Sequence, residues 1–457
     1  MVSNKIIRTT YIILIWLAGV CGLKNIIVTG GQALHGEVVL QGSKNSVLPM
    51  MAAAVLHQGS TILHNCPDIA DVRVMIEILQ SIGVKTKWCA NSLTLDCQNI
   101  LEKQIDECYA GKMRSSIVLL GSMLGRTGKV TIGLPGGCVI GKRPVDLHIF
   151  ALQQMGVKIR EDENWIAAEA AEKLHGNTIY FPKTSVGATE NALLAAVKAE
   201  GITYLHNCSA EPEIFHLCCF LKLMGARIEG LGTHVLKITG VEQLKDIEYW
   251  VPADRIVAGT YLFGAAITRG NIILHNPPIH EMKAVLRVYE KMGGQWEYNS
   301  GKLMADASEV NHPIAYVETA EYPGFPTDLQ SILVAVLLTI PGISCIKETV
   351  FEQRFQVIQD FISMGANIQM CGKEVRIAGG YPLYGTCVHA RELRGGAALI
   401  LAGLAACGIT TIQNAHYIER GYQNIENDLQ KLGAKIYAEE QVIYEKTSFE
   451  DTINRKW

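Results

Sequence analysis

Nothing in this 457-residue chain is concentrated enough to mark a nucleic-acid binder, a disulfide scaffold or a metal centre. Charged residues make up 19%, and Lys plus Arg (41) nearly balances Asp plus Glu (44), so bulk charge recommends neither nucleic acid nor an acidic membrane as partner. The thirteen cysteines form no CxxC pair, and the one adjacent pair, Cys218 and Cys219, lies in an apolar helical run. Reduced thiols are expected rather than a disulfide framework. No ligand cluster has metal spacing, so neither metal nor cofactor is expected. An apolar run from Tyr11 to Cys21, behind Lys5 and Arg8, is too short to span a bilayer comfortably. Without a clean small-x-small cleavage site it reads as a loosely attached extension rather than an export signal, and a cytoplasmic location without stable membrane association is expected.

What the chain does contain is a repeat. An apolar helical stretch ending in Leu/Met/Ile-Gly and followed by a short strand occurs six times, with glycines at Gly83, Gly156, Gly225, Gly293, Gly365 and Gly433. The spacings are 73, 69, 68, 72 and 68 residues, a unit of about seventy. Each glycine stands where a helix C-cap needs a left-handed residue. Upstream in each unit a second apolar helix runs into a strand, as in LLAAVKAEGITYLHN, and Asn65, Asn207, Asn276 and Asn414 recur at strand ends, a natural turn position. The unit therefore reads strand, helix, strand, helix, strand, strand. Helices such as LILAGLAA are apolar nearly all round and should be buried. The expected architecture is α/β: two inside-out lobes of three units each, helices inside and sheets outside, with a cleft between them.

Chemistry concentrates in LPGGCVIGKRPVDLH, Leu134 to His148. Cys138 sits between glycines on a segment free to change conformation, with Lys142 and Arg143 positioned to lower its thiol pKa from about 8.5. The first helix of each unit opens at Lys44 and Asn45, at Arg114, at Lys183 to Gly187, at Asp254, at Asp328 and at Arg394. Helix N-termini carry exposed N–H groups and partial positive charge, so several of them with cationic side chains in one cleft suit a ligand bearing phosphates and a carboxylate. Asp254 reads equally well as an N-cap. Asp328 follows Tyr322, Pro323, Gly324, Phe325, Pro326 and Thr327, a proline-stiffened approach better suited to fixing a general base. Glu211 and Glu213 read as structural.

GSKNSVLP, PGGCVIGKRPVDLH, YPGFPTDLQ, ETVFEQRF, LRGGAALILAG and IERGYQNIENDLQKLGA, in chain order, give a sequence that resembles the UDP-N-acetylglucosamine 1-carboxyvinyltransferase family, enolpyruvyl transferases of peptidoglycan precursor synthesis. The likeness runs from about Leu23 to about Ala438. It implies two lobes joined by two crossings, with residues 23–43 plus 253–445 in one, residues 44–252 with the cysteine loop in the other, an extension at 1–22 and a polar tail at 446–457. It implies enolpyruvyl transfer from phosphoenolpyruvate to the 3-hydroxyl of UDP-N-acetylglucosamine with loss of phosphate, by addition and elimination. Cys138 is then the proton donor to the C3 methylene and the target of the epoxide fosfomycin. Asp328 takes the hydroxyl proton, and Lys44 and Asn45 contact phosphoenolpyruvate. Arg114, Arg143, Pro144, Val145, Asp146, Leu147, Lys183, Thr184, Ser185, Val186, Asp328 and Val350 hold the nucleotide sugar, while Arg143, Arg394 and Arg420 neutralise phosphate and carboxylate. Rival readings are enolpyruvyl transfer to shikimate 3-phosphate, which does not call for the PGGC loop, a non-catalytic sugar-nucleotide binder, and a DNA clamp. The clamp conflicts with apolar helices and a slightly negative net charge.

Overall fold

The structure is a computed structural model describing residues 23–101, 103–136 and 144–441. Its strands form six four-stranded sheets among those residues. The helices divide between two cores. In one, Arg255–Thr268, Gln330–Leu338 and Leu393–Ala405 pack against one another; in the other lie Lys44–Ala54, Leu119–Thr127 and Val186–Val197. These helices have no polar face to offer water: every residue of Gln330–Leu338 is buried. Burying them on all sides is the arrangement that removes their apolar surface from solvent. The second helix of each unit is amphipathic instead. Lys283–Lys291 buries Val285, Leu286, Val288 and Tyr289 and turns its charges outward. Strands such as Lys302–Asp306 alternate buried and exposed residues, which places the sheets outside as the repeat predicts.

The repeat's punctuation has a backbone cause. All six cap glycines take positive φ, between 88° at Gly156 and 109° at Gly225. Asn65, Asn207, Asn276 and Asn414 are left-handed as well, at 52°, 59°, 53° and 60°, and the side-chain amides of Asn65 and Asn207 each donate to the carbonyl just past the end of an edge strand, Val251 and Phe181.

The repeat alone reads as contiguous units, although the resemblance implies that residues 23–43 join residues 253–445; in the structure the units are not contiguous. Three sheets borrow a strand from far along the chain. Ile247–Trp250 pairs in parallel with Ser60–His64, His35–Val39 with Asn271–His275, and Leu23–Thr29 inserts between Ile409–Gln413 and Lys435–Gln441. Two of the borrowed strands are held from the side by histidine–carboxylate pairs, His64 with Glu248 at 3.1 Å and His275 with Glu37 at 2.9 Å. Each of these two strands leads directly into a passage from one core to the other.

The two passages lie side by side. Gly42 and Ala253 form an antiparallel bridge, the Ser43 amide donates to the Pro252 carbonyl at 2.7 Å, and the Asp254 amide donates to the Gln41 carbonyl at 2.9 Å. A Cβ on Gly42 would sit 1.9 Å from the Asn65 carbonyl oxygen, so this approach demands glycine. Among the described residues the cysteines are free, and no helix is long and apolar enough to cross a membrane.

Candidate active site

Where the passages meet, two helix N-termini share one carboxylate. Asp254 caps Arg255–Thr268 by accepting from the Ile256 and Val257 amides at 2.8 and 3.1 Å, and it also accepts from the Lys44 amide at 3.0 Å. The N-cap reading of Asp254 is therefore correct, with the addition that it ties the start of Lys44–Ala54 to the opposite core. Ser43 caps that helix by accepting from the Ser46 amide.

Lys44 directs its ammonium to Asp71, 2.8 Å away. Arg420 approaches the same carboxylate from the other core, Nε at 2.8 Å and Nη2 at 3.3 Å. Burial alone would push the Asp71 carboxyl up, but Lys44 and Arg420 outweigh it and hold the group below the usual carboxylate range.

Asp328 lies in the short helical turn Thr327–Leu329 at the head of Gln330–Leu338. Its carboxylate caps neither helix. It pairs with Arg354 on one oxygen and with Arg394 on the other, the latter at 3.3 Å. Burial favours the neutral acid, yet Arg354, Arg394, Lys44 and Arg255 together hold Asp328 far below the ordinary range. Arg394 is 2% exposed, with its guanidinium carbon 5.4 Å from the centre of the Tyr422 ring, and is not the solvated charge a surface arginine would be. Glu392 is buried too; it caps Leu393–Ala405 by accepting from the Arg394 and Gly395 amides and also pairs with Arg354 at 3.3 Å. Even so, Nε of Arg354 and Nη1 of Arg394 are buried without an acceptor among the described residues. Guanidinium groups left short of acceptors are ready to receive an anion.

A third cluster spans the cores nearby. Arg255 donates from Nε to Glu213 at 3.0 Å and from Nη2 to Glu211 at 2.7 Å, and Glu211 accepts from the Tyr322 amide at 2.9 Å. Glu211 and Glu213 are thus structural, and what they support is the segment that carries Asp328.

Lys44, Asp328, Arg394 and Arg420 thus gather at one junction. Asn45 is half-buried beside Lys44. Cys138 and Arg143 lie outside the described residues. The flanks of their segment are anchored: the Leu134 amide donates to the Asn164 carbonyl at 2.8 Å, Arg114 donates to the Pro144 carbonyl at 3.0 Å, and Val145, Asp146 and Leu147 lead into the helix Asp146–Gln154. A Cβ on Gly136 would lie 1.8 Å from the Gly111 carbonyl oxygen, so this glycine serves close packing and not a positive φ. Lys183 and Val186 are exposed, Thr184 bonds to Asn207, and Ser185 caps Val186–Val197. Val350 is joined to the neighbourhood of Asp328 through Glu348, which accepts from the Val350 amide and from the Thr327 hydroxyl.

Sequence reasoning missed Asp71, Arg354, Glu392 and Asn191. Asp71 looks like an ordinary first-turn acid of Ala70–Ser81. Asn191 is fully buried and accepts from the Gly121 amide at 2.7 Å while its NH2 donates to the Ile117 carbonyl at 2.9 Å; that NH2 lies 2.7 Å from Nδ1 of His148. A polar residue in the otherwise apolar stretch NALLAAV is the one signal that could have found it.

Residues 28–445 match the model of the family described as EPSP synthase (3-phosphoshikimate 1-carboxyvinyltransferase). A Caldanaerobacter subterraneus protein named UDP-N-acetylglucosamine 1-carboxyvinyltransferase 2 is 41% identical over 409 residues, covering 90% of this chain and 98% of its own. A Clostridium tetani protein of the same name is 42% identical over 417 residues, covering 91% and 100%. Among solved structures, the enolpyruvyl transferase NikO from Streptomyces tendae is 25% identical with a TM-score of 0.82, over 92% of this chain and all of its own. EPSP synthase from Acinetobacter baumannii, at 18% identity and a TM-score of 0.70 over 92% of this chain and all of its own, shares the fold. With a family match over most of its length and curated relatives at about two-fifths identity, this chain belongs to the UDP-N-acetylglucosamine 1-carboxyvinyltransferases of the EPSP synthase family.

Proposed function

We propose that this chain transfers the enolpyruvyl group of phosphoenolpyruvate to the 3-hydroxyl of UDP-N-acetylglucosamine, releasing phosphate. The observation that carries the reading is the convergence of Lys44, Arg394, Arg420 and Asp328, from four distant stretches of sequence, on the junction between the two cores. The relatives' names support the sugar nucleotide as acceptor.

The chemistry needs an acid at one carbon and a base at one oxygen. The acceptor hydroxyl adds to C2 of phosphoenolpyruvate as Cys138 gives a proton to C3 and Asp328 takes the hydroxyl proton. Loss of phosphate from C2 and of a proton from C3 then restores the double bond. Lys44, Arg394 and Arg420 bind the phosphate and carboxylate and stabilise the leaving group. Asp328 in its two-arginine clamp is a weak base, so productive binding must loosen its hold on Arg354. We infer a cytoplasmic reaction, with residues 23–43 plus 253–445 and residues 44–252 as the two bodies that close on the substrates.

The test is phosphate release with both substrates and with each omitted in turn. Release requiring both is expected. Release with shikimate 3-phosphate in place of the sugar nucleotide would favour the other acceptor, and sugar-nucleotide binding without release would favour a non-catalytic binder. Cys138→Ala should abolish release and also the mass shift that fosfomycin leaves on the loop peptide; undiminished turnover would refute the acid role.

A further inference from the structure

The contact between Asp71, Lys44 and Arg420 has no part in the reaction as written. Asp71 belongs to the core that holds Ala70–Ser81, and Arg420 to the opposite core. Lys44 starts the helix at the passage between them. The carboxylate is 6% exposed, Lys44 13% and Arg420 17%, so water screens the attraction only weakly. Under the proposed function, Lys44 and Arg420 are two of the cations that receive the substrate's phosphate and carboxylate. An internal anion already stands between them.

We propose that Asp71 is a specificity-determining and positioning residue for the phosphate-bearing substrate: it acts as the resting counter-ion of Lys44 and Arg420, which an incoming enol phosphate must displace and which returns as inorganic phosphate leaves. The inference rests on the proposed enolpyruvyl transfer. Its physical basis is competition. Two cations alone in a cleft would hold any phosphate, including the product; a fixed carboxylate within hydrogen-bond distance of both lowers affinity for every anion. Ligands that recover the loss through further contacts, such as a second anionic group reaching the unsatisfied guanidinium atoms of Arg354 and Arg394, are penalised least. Inorganic phosphate has no second group. Asp71 thus discriminates between substrate and product, which share the phosphate. Because it binds Lys44 and Arg420 from opposite cores, it also keeps both side chains directed into the junction while the site is empty.

The test is the binding isotherm of inorganic phosphate, alone, to wild-type protein and to Asp71→Asn, paired with steady-state kinetics in phosphoenolpyruvate. Removing the competing charge should tighten phosphate binding by about tenfold, increase product inhibition by phosphate to match, and lower kcat more than KM as release slows. Asp71→Glu, which keeps the charge, should leave phosphate affinity within about twofold of wild type. Asp71→Ser removes the charge with a smaller side chain and should repeat the asparagine result, so the question survives if one variant fails to fold. Phosphate affinity unchanged or weakened in both Asn and Ser variants would overturn the counter-ion role. The proposed reaction fails separately, if wild-type protein releases no phosphate from the two substrates together.

Discussion

Arg255→Met tests whether the two cores are locked together by charge. The side chain is 10% exposed and faces Glu213 and Glu211, themselves 6% and 15% exposed. Methionine fills similar volume but leaves two carboxylates facing each other with no cation between them. Removing one partner of a buried pair costs about 3–5 kcal/mol. Part of that cost is avoidable, because a proton can replace the arginine. Burial already pushes the Glu211 carboxyl up, against the pull of Arg255, and the neighbouring Glu213 pushes it further. Without Arg255 the folded protein should hold a proton on Glu211 more tightly than the unfolded chain, whose glutamates titrate near 4.3. A carboxyl raised on folding gains stability as pH falls through its raised value. The loss in Arg255→Met should therefore be largest at pH 8 and shrink towards pH 5.5. Urea unfolding at both pH values measures it, and Glu213→Gln in the same chain should recover part of the loss. A change below about 1 kcal/mol, equal at the two pH values, would show that the cluster behaves as an exposed surface pair and refute the reasoning.

Asp328→Asn should lower kcat by at least about a hundredfold with little change in sugar-nucleotide affinity, as expected for loss of a general base; equal losses in both would make Asp328 a binding residue alone. Asp71 and Asp328 are both held below the usual carboxylate range, so their ion pairs contribute stability above the unfolded value of about 3.9 that is lost as pH falls further. Thermal melts from pH 7 to pH 3 should fall less steeply in Asp71→Asn than in wild type. Gly225→Ala puts a side chain at φ 109° in open space and should cost about 1 kcal/mol through backbone strain alone. Gly42→Ala, pressed on the Asn65 carbonyl, should cost about 2 kcal/mol or more, and urea unfolding of the two variants separates strain from collision.

How much of this was legible in the sequence depends on whether a feature is local. A left-handed helix cap admits few residue types, so six glycines at a near-constant interval disclosed six units before any pairing was known. Four asparagines at strand ends repeated the message for the same reason. The borrowed strands left no such mark, because a ladder is made of backbone groups common to all residues; nothing in IEYW says that its partner is STILH, almost two hundred positions earlier. The site divides the same way. Lys44, Arg394 and Asp328 stand at the heads of buried helices, and the repeat locates them. Asp71, Arg354 and Glu392 carry meaning only through what they face. Asp71 is the counter-charge of Lys44 and Arg354 that of Asp328, both of which the sequence did reveal, and Glu392 is in turn the counter-charge of Arg354. A cation buried beyond the reach of water must have an anion near it, so the presence of such partners follows from physics even where their identity does not. Under the proposed function the partners also bear on the chemistry: the clamp on Asp328 sets how weak a base it is at rest, and Asp71 sets how strongly an incoming phosphate must compete.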